Sequence, residues 1–152
     1  MDKVKVYIKS ILLPVITGAI IGLITSQSID YGSLKQPVLA PPSAVFPIVW
    51  TILYVLMGVS FGILKSNSLN TKEVESIYYL QLIVNAAWSI FFFVFKWRLF
   101  SFIWIILLAV LVIIMIKRFY EQNKLSGLLQ LPYLIWIIFA AYLNISIYLL
   151  NR

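Results

Sequence analysis

Apolar positions in this chain do not alternate with polar ones; they run together. Ile, Leu, Val and aromatic residues fill residues 7–25, 44–64, 77–95, 101–119 and 131–150. Charged residues fall between these runs or in their end turns. Each run is about 20 residues, the length of helix that crosses a hydrocarbon core of roughly 30 Å. The pattern predicts an all-α integral membrane protein, a five-transmembrane-helix bundle forming one domain over residues 1–152, with a long structured first loop. The lysines before residues 8–24 imitate a signal peptide, but no small-x-small cleavage pattern follows, so the first run is read as a retained helix.

The exceptions inside the runs are patterned. In the third, Gln81, Asn85, Trp88, Ser89 and Phe92 make one stripe at helical spacing. Amides in lipid must find partners, so this stripe faces protein or a cavity; helix–helix bonding and ligand contact are both open. In the second run Phe46, Trp50 and Tyr54 recur at four-residue steps, and in the fifth Trp136, Ala140 and Asn144 do the same. A small residue between Trp136 and Asn144 leaves a hollow beside a flat aromatic wall. Gly18/Gly22 and Gly58/Gly62 have the spacing of close helix contact, read as packing within the bundle in preference to a dimer face. Pro14 is a place for a kink. The fourth run has no polar handle and is assigned to lipid contact and scaffold. Residues 65–76 and 117–126 read as polar loops.

Residues 31–54 hold the long irregular passage. Pro37, Pro41 and Pro42 fix φ and remove donors, which excludes helix and paired strand. Ser43 is the expected cap of the next helix, with Pro47 in its first turn. A stiff loop of this length, tied to helices at both ends, is expected to be a lid over a pocket, with Tyr31, Pro41 and Pro42 in it.

Composition narrows the chemistry. Residues are 62% hydrophobic and only 11% charged, and Cys and His are absent. Disulfides, thiolate chemistry, Cys/His metal sites and His-ligated haem are excluded, and no metal site is expected. The net charge of +7 comes from basic residues at the ends of runs, which is interfacial anchoring and not nucleic-acid binding. Counting Lys and Arg by side gives eight against four if the N-terminus is cytoplasmic, so that orientation is expected, with the lid outside. No ionisable group lies at mid-membrane, which argues against ion-coupled pumping. No residue set supports ordinary acid–base or nucleophilic catalysis. What remains is an apolar cavity with aromatic walls and a few amides, suited to a large flat ligand needing one or two hydrogen bonds. A tetrapyrrole or a sterol fits, and without His or Cys a metal-free porphyrin fits better than haem.

Three motifs together resemble the tryptophan-rich sensory protein and translocator protein (TspO/MBR) family, the peripheral benzodiazepine receptor group. They are Leu34, Pro37, Pro41-Pro42, Trp50 and Leu53-Tyr54; Asn85-Ala-Ala-Trp88-Ser89 with Phe91–Phe93; and Leu131-Pro-Tyr133 through Trp136, Phe139-Ala140, Leu143 and Asn144. The resemblance covers nearly the whole chain. It implies a pocket under the first loop that binds porphyrins such as protoporphyrin IX, and in some members cholesterol. It gives Trp50, Asn85, Trp88, Ser89, Trp136 and Ala140 as ligand contacts, to which the residue pattern adds Tyr54 and Asn144. It implies frequent homodimers, a bacterial cell membrane as the location, and in some members light- and oxygen-dependent porphyrin breakdown involving Trp50 and Trp136. The chain departs from the family pattern at Leu39 and Asp30, where Trp is usual or frequent, so its lid carries less aromatic surface. A loose sterol pattern is readable at Leu143, Tyr148 and Arg152. A membrane interaction protein that docks partners on its glycine faces is the alternative from a different class.

Overall fold

The computed structural model of the protein describes residues 2–152. Among them, helices α1 (Lys3–Thr25), α2 (Val45–Ser66), α3 (Lys72–Ser89), α4 (Arg98–Gln122), α5 (Lys124–Leu128) and α6 (Leu131–Asn151) account for the bundle. Five segments containing these helices are long and apolar enough to span a membrane. α1 packs chiefly on α2, and α4 packs on both α3 and α6.

The ends of the helices differ from the sequence expectation for local reasons. α2 begins after Ala44, and its first turn is closed by main-chain bonds from Val45 N to Pro42 O and Phe46 N to Ser43 O; no side chain caps it, so Ser43 is not the cap. Pro47 does fall in the first turn. Residues 65–76 are mostly helix. The Thr71 hydroxyl accepts from Val74 N and starts α3 a turn early, with Glu73 and Glu75 placed well against the helix dipole. Likewise α4 continues to Gln122, and Asn123 caps α5 by accepting from Ser126 N. α1 carries Pro14 without a break in the helix.

The fourth run does more than face lipid. Ser101, Ile105, Leu108, Val112, Met115 and Phe119 are buried at alternating three- and four-residue steps, the narrow seam of a tightly packed helix. Trp104 on α4 donates its indole N–H to the Val84 carbonyl of α3 at 2.8 Å, a polar handle after all. The opposite face, with Ile103, Ile106, Val110 and Ile113, is exposed to the surroundings.

The glycines decide how α1 meets α2. A Cβ on Gly58 would lie 2.3 Å from Ile11 Cα, and one on Gly62 would lie 2.7 Å from the Tyr7 ring. Both glycines are therefore the contact between α1 and α2, not a face left for a partner. Gly18 touches the Tyr54 ring, whereas a Cβ on Gly22 would meet nothing within 4 Å. The two helices are tight up to Gly18 and part beyond it.

Candidate ligand-binding cavity

Where α1 and α2 part, a cavity of about 740 Å³ opens. Its walls come from the last half of α1, the first half of α2, the end of α3 and the middle of α6, with Tyr31 as part of its roof. Ala19, Gly22 and Ser26 on one side and Ala44, Pro47 and Thr51 on the other line it and are exposed, so it opens sideways between α1 and α2.

Eight of the eleven sequence-expected contact residues line this space. The aromatic wall has Tyr31, Trp50, Tyr54, Trp88 and Trp136; Ser89, Ala140 and Asn144 lie among them. Trp50 stacks on Tyr54 at 5.5 Å between ring centroids. Tyr31 meets Phe46 edge-on at 5.0 Å, and Phe46 meets Trp136 at 5.9 Å. The indole N–H of Trp136 is buried and has no acceptor among the described residues.

Asn85, Pro41 and Pro42 are not on the wall. Asn85 sits behind Tyr54, in a chain of buried bonds. The Tyr54 hydroxyl donates to Asn85 Oδ1 at 2.8 Å, Asn85 Nδ2 donates to the Tyr133 hydroxyl at 2.7 Å, and that hydroxyl donates to Gln81 Oε1 at 2.7 Å. The Asn85 amide is thus satisfied at both ends by protein, the helix–helix alternative, whereas Gln81 is bonded only through Oε1 and its Nε2 is buried without a partner. The chain ties α2, α3 and α6 together and fixes the ring of Tyr54 at the cavity floor. Pro41 works from outside the wall: its carbonyl accepts from the Tyr31 hydroxyl at 2.9 Å and so sets the roof.

A second chain was invisible in the sequence. Trp88 Nε1 donates to Asn144 Oδ1 at 2.9 Å, and Asn144 Nδ2 donates to the Arg98 carbonyl at 2.8 Å. The Arg98 guanidinium donates to both carboxylate oxygens of Asp30 at 2.8 and 2.9 Å, and Lys96 Nζ lies 3.5 Å from the same group. Wall, α3–α4 turn and lid are therefore linked through contiguous bonds. The turn is shaped by a π-helical stretch, Ile90–Val94, where Phe95 N bonds to Ile90 O. This wider turn brings both Phe92 and Phe93 to the cavity. The lid is also fastened to α6: Tyr142 donates to Val38 O, and Asn151 bonds both the N–H and the C=O of Lys35. Leu39, in the position of the usual lid tryptophan, has a positive φ of 72° and is exposed.

Partial burial pushes the Asp30 carboxyl up, but the Arg98 hydrogen bond and the charges of Arg98 and Lys96 outweigh it and hold it below the ordinary carboxylate range. Its contribution to lid stability is therefore complete above the unfolded-state pKa and is lost as pH falls through the lowered folded value. Asp30→Asn is expected to loosen residues 26–44 by about 1 kcal/mol, as for a good but partly exposed pair. Hydrogen exchange, corrected for intrinsic rates, should show faster lid exchange in the variant at neutral pH. Acid should loosen the wild-type lid further but not the variant's. Equal exchange in both at neutral pH would remove the pair from any role in holding the lid.

A sequence model described as the TspO/MBR family matches residues 10–150 of the chain. The chain is 39% identical to the tryptophan-rich protein TspO of Archaeoglobus fulgidus over 147 residues, 95% of each protein. It is 34% identical to the protein CrtK of Rhodobacter capsulatus, over 86% of this chain and 83% of that one. It is also 30% identical to the translocator protein of Ovis aries, over 75% and 70% respectively.

Proposed function

The chain belongs to the TspO/MBR family, and on that premise we propose that it is a membrane receptor or carrier that binds a protoporphyrin-like tetrapyrrole in its lateral cavity. The observation that carries this reading is one space of about 740 Å³ walled by Trp50, Tyr54, Trp88 and Trp136. That volume is in the range of sites for drug-sized ligands, and flat aromatic walls suit a flat ring system. The bundle holds no ionisable side chain at mid-membrane, which fits a sensing or passive carrier role better than a pump. The names of relatives, translocator protein and tryptophan-rich sensory protein, point the same way. The excess of Lys and Arg beside the N-terminal side of the bundle supports a cytoplasmic N-terminus with the lid outside, and the bacterial relatives fit a bacterial cell membrane.

The test is a tryptophan-fluorescence titration of the purified protein with protoporphyrin IX in the dark. Saturable quenching is expected, and Trp136→Phe should weaken affinity by about tenfold, the upper end of one aromatic contact. A titration that never saturates removes porphyrin as the ligand class.

A further inference from the structure

We propose that the cavity recognises an uncharged ligand surface, so that the ionised groups of any ligand it takes stay outside its wall. This rests on the porphyrin-binding reading and sharpens it. Among the described residues, no Asp, Glu, Lys or Arg lines the cavity. The polar groups on the wall are largely spent on the protein itself. Thr25, Ser26 and Thr51 donate to carbonyls of α1 or α2, Tyr54 donates to Asn85, and Asn144 is held between Trp88 and Arg98. The hydroxyls of Ser43 and Ser89 and the indole N–H groups of Trp50 and Trp136 remain to meet a ligand atom, and all are neutral.

The nearest cations already face a carboxylate. Arg98 lies over the Phe92 ring at 5.2 Å and gives two hydrogen bonds to Asp30, with its Nε–H buried without an acceptor, and it is not part of the cavity's lining. Lys96 leans on the same carboxylate. Lys35 is exposed on the lid and is not part of the wall. A carboxylate drawn inside would lose its water and gain no cation, which is unfavourable. The end of the side opening next to the first loop, where Ser26 after α1 and Ser43 before α2 are exposed, leaves room for carboxylates to stay solvated while the ring is buried. A porphyrin's propionates are accordingly passengers, and the ring is what is bound.

The experiment compares protoporphyrin IX with its dimethyl ester, using the full chain in nanodiscs of zwitterionic lipid and protein-free discs to correct for partitioning. The ester is expected to bind within about threefold of the acid, since no charge-assisted bond is lost. The Kd of the acid should not change with ionic strength, because no ion pair is there to be screened. A loss of about tenfold or more on esterification would overturn the inference alone, by revealing a cation that grips the propionates. Failure of both compounds to saturate would overturn the porphyrin reading and this inference with it.

Discussion

Ala140→Phe is expected to abolish saturable porphyrin binding while the purified protein keeps its thermal stability. Ala140 lies on α6 one turn from both Trp136 and Asn144, and all three line the cavity. A benzyl group there projects into space a ligand ring would use, so affinity should fall by about 100-fold or more, the effect of filling a site rather than trimming one contact. The stability argument is separate. The cavity is not packed space, so the added ring meets little resistance and buries apolar surface against Trp136. The titration and a melting curve should therefore move independently. Unchanged affinity would show that ligands bind elsewhere. Lost affinity together with a collapsed melting temperature would show only that the bundle had been damaged, and Ala140→Val would then decide the matter.

The second large effect is on folding. Gly58→Leu should destabilise the bundle by at least about 3 kcal/mol, the upper range for overpacking a tight contact. The atoms in the way are backbone: Ile11 Cα at 2.3 Å and Ser10 O at 2.7 Å from even a bare Cβ. No rotamer relieves that clash, so α1 must move as a body. α1 has little else to hold it; a small share of its spanning part is buried, and its main contact is α2. Gly22→Leu is the matched control, since a Cβ there meets nothing within 4 Å. A denaturation series in detergent should rank Gly58→Leu far below Gly22→Leu, and similar midpoints would refute the packing account. Ligand binding supplies a second readout. Displacing α1 at Gly58 should widen the cavity it walls, whereas Gly22→Leu narrows the side opening and leaves the bundle intact.

Much of this architecture was legible in the chain because lipid imposes strong rules. A backbone without water must satisfy itself, so five apolar runs of about 20 residues read directly as five spanning helices. Proline geometry likewise marked the first loop as neither helix nor strand, and the structure agrees for the proline segment up to α2, while Tyr31–Ser33 before it forms a single 3-10 turn. Periodicity alone placed Trp136, Ala140 and Asn144 on one face, and all three line one cavity. Helix ends were less legible. The caps at Thr71 and Asn123 extended helices into polar segments, because a polar residue can serve a helix end as well as a loop.

The number of spans, the proline loop, the aromatic faces and the absence of Asp, Glu, Lys, Arg and His at mid-membrane could all be read from the chain. These follow from local periodicity and from residue types, which each helix carries alone. What those faces met emerged only when the helices packed. Packing turned Asn85 away from the cavity and into the Tyr54–Tyr133–Gln81 chain, and it joined Asp30 to Arg98 across 68 positions. It also opened the cavity between α1 and α2 beyond Gly18. The reason is physical: an amide or a charge is satisfied by whichever partner folding brings within about 3 Å, and helical spacing says which face a residue occupies but not what will stand opposite.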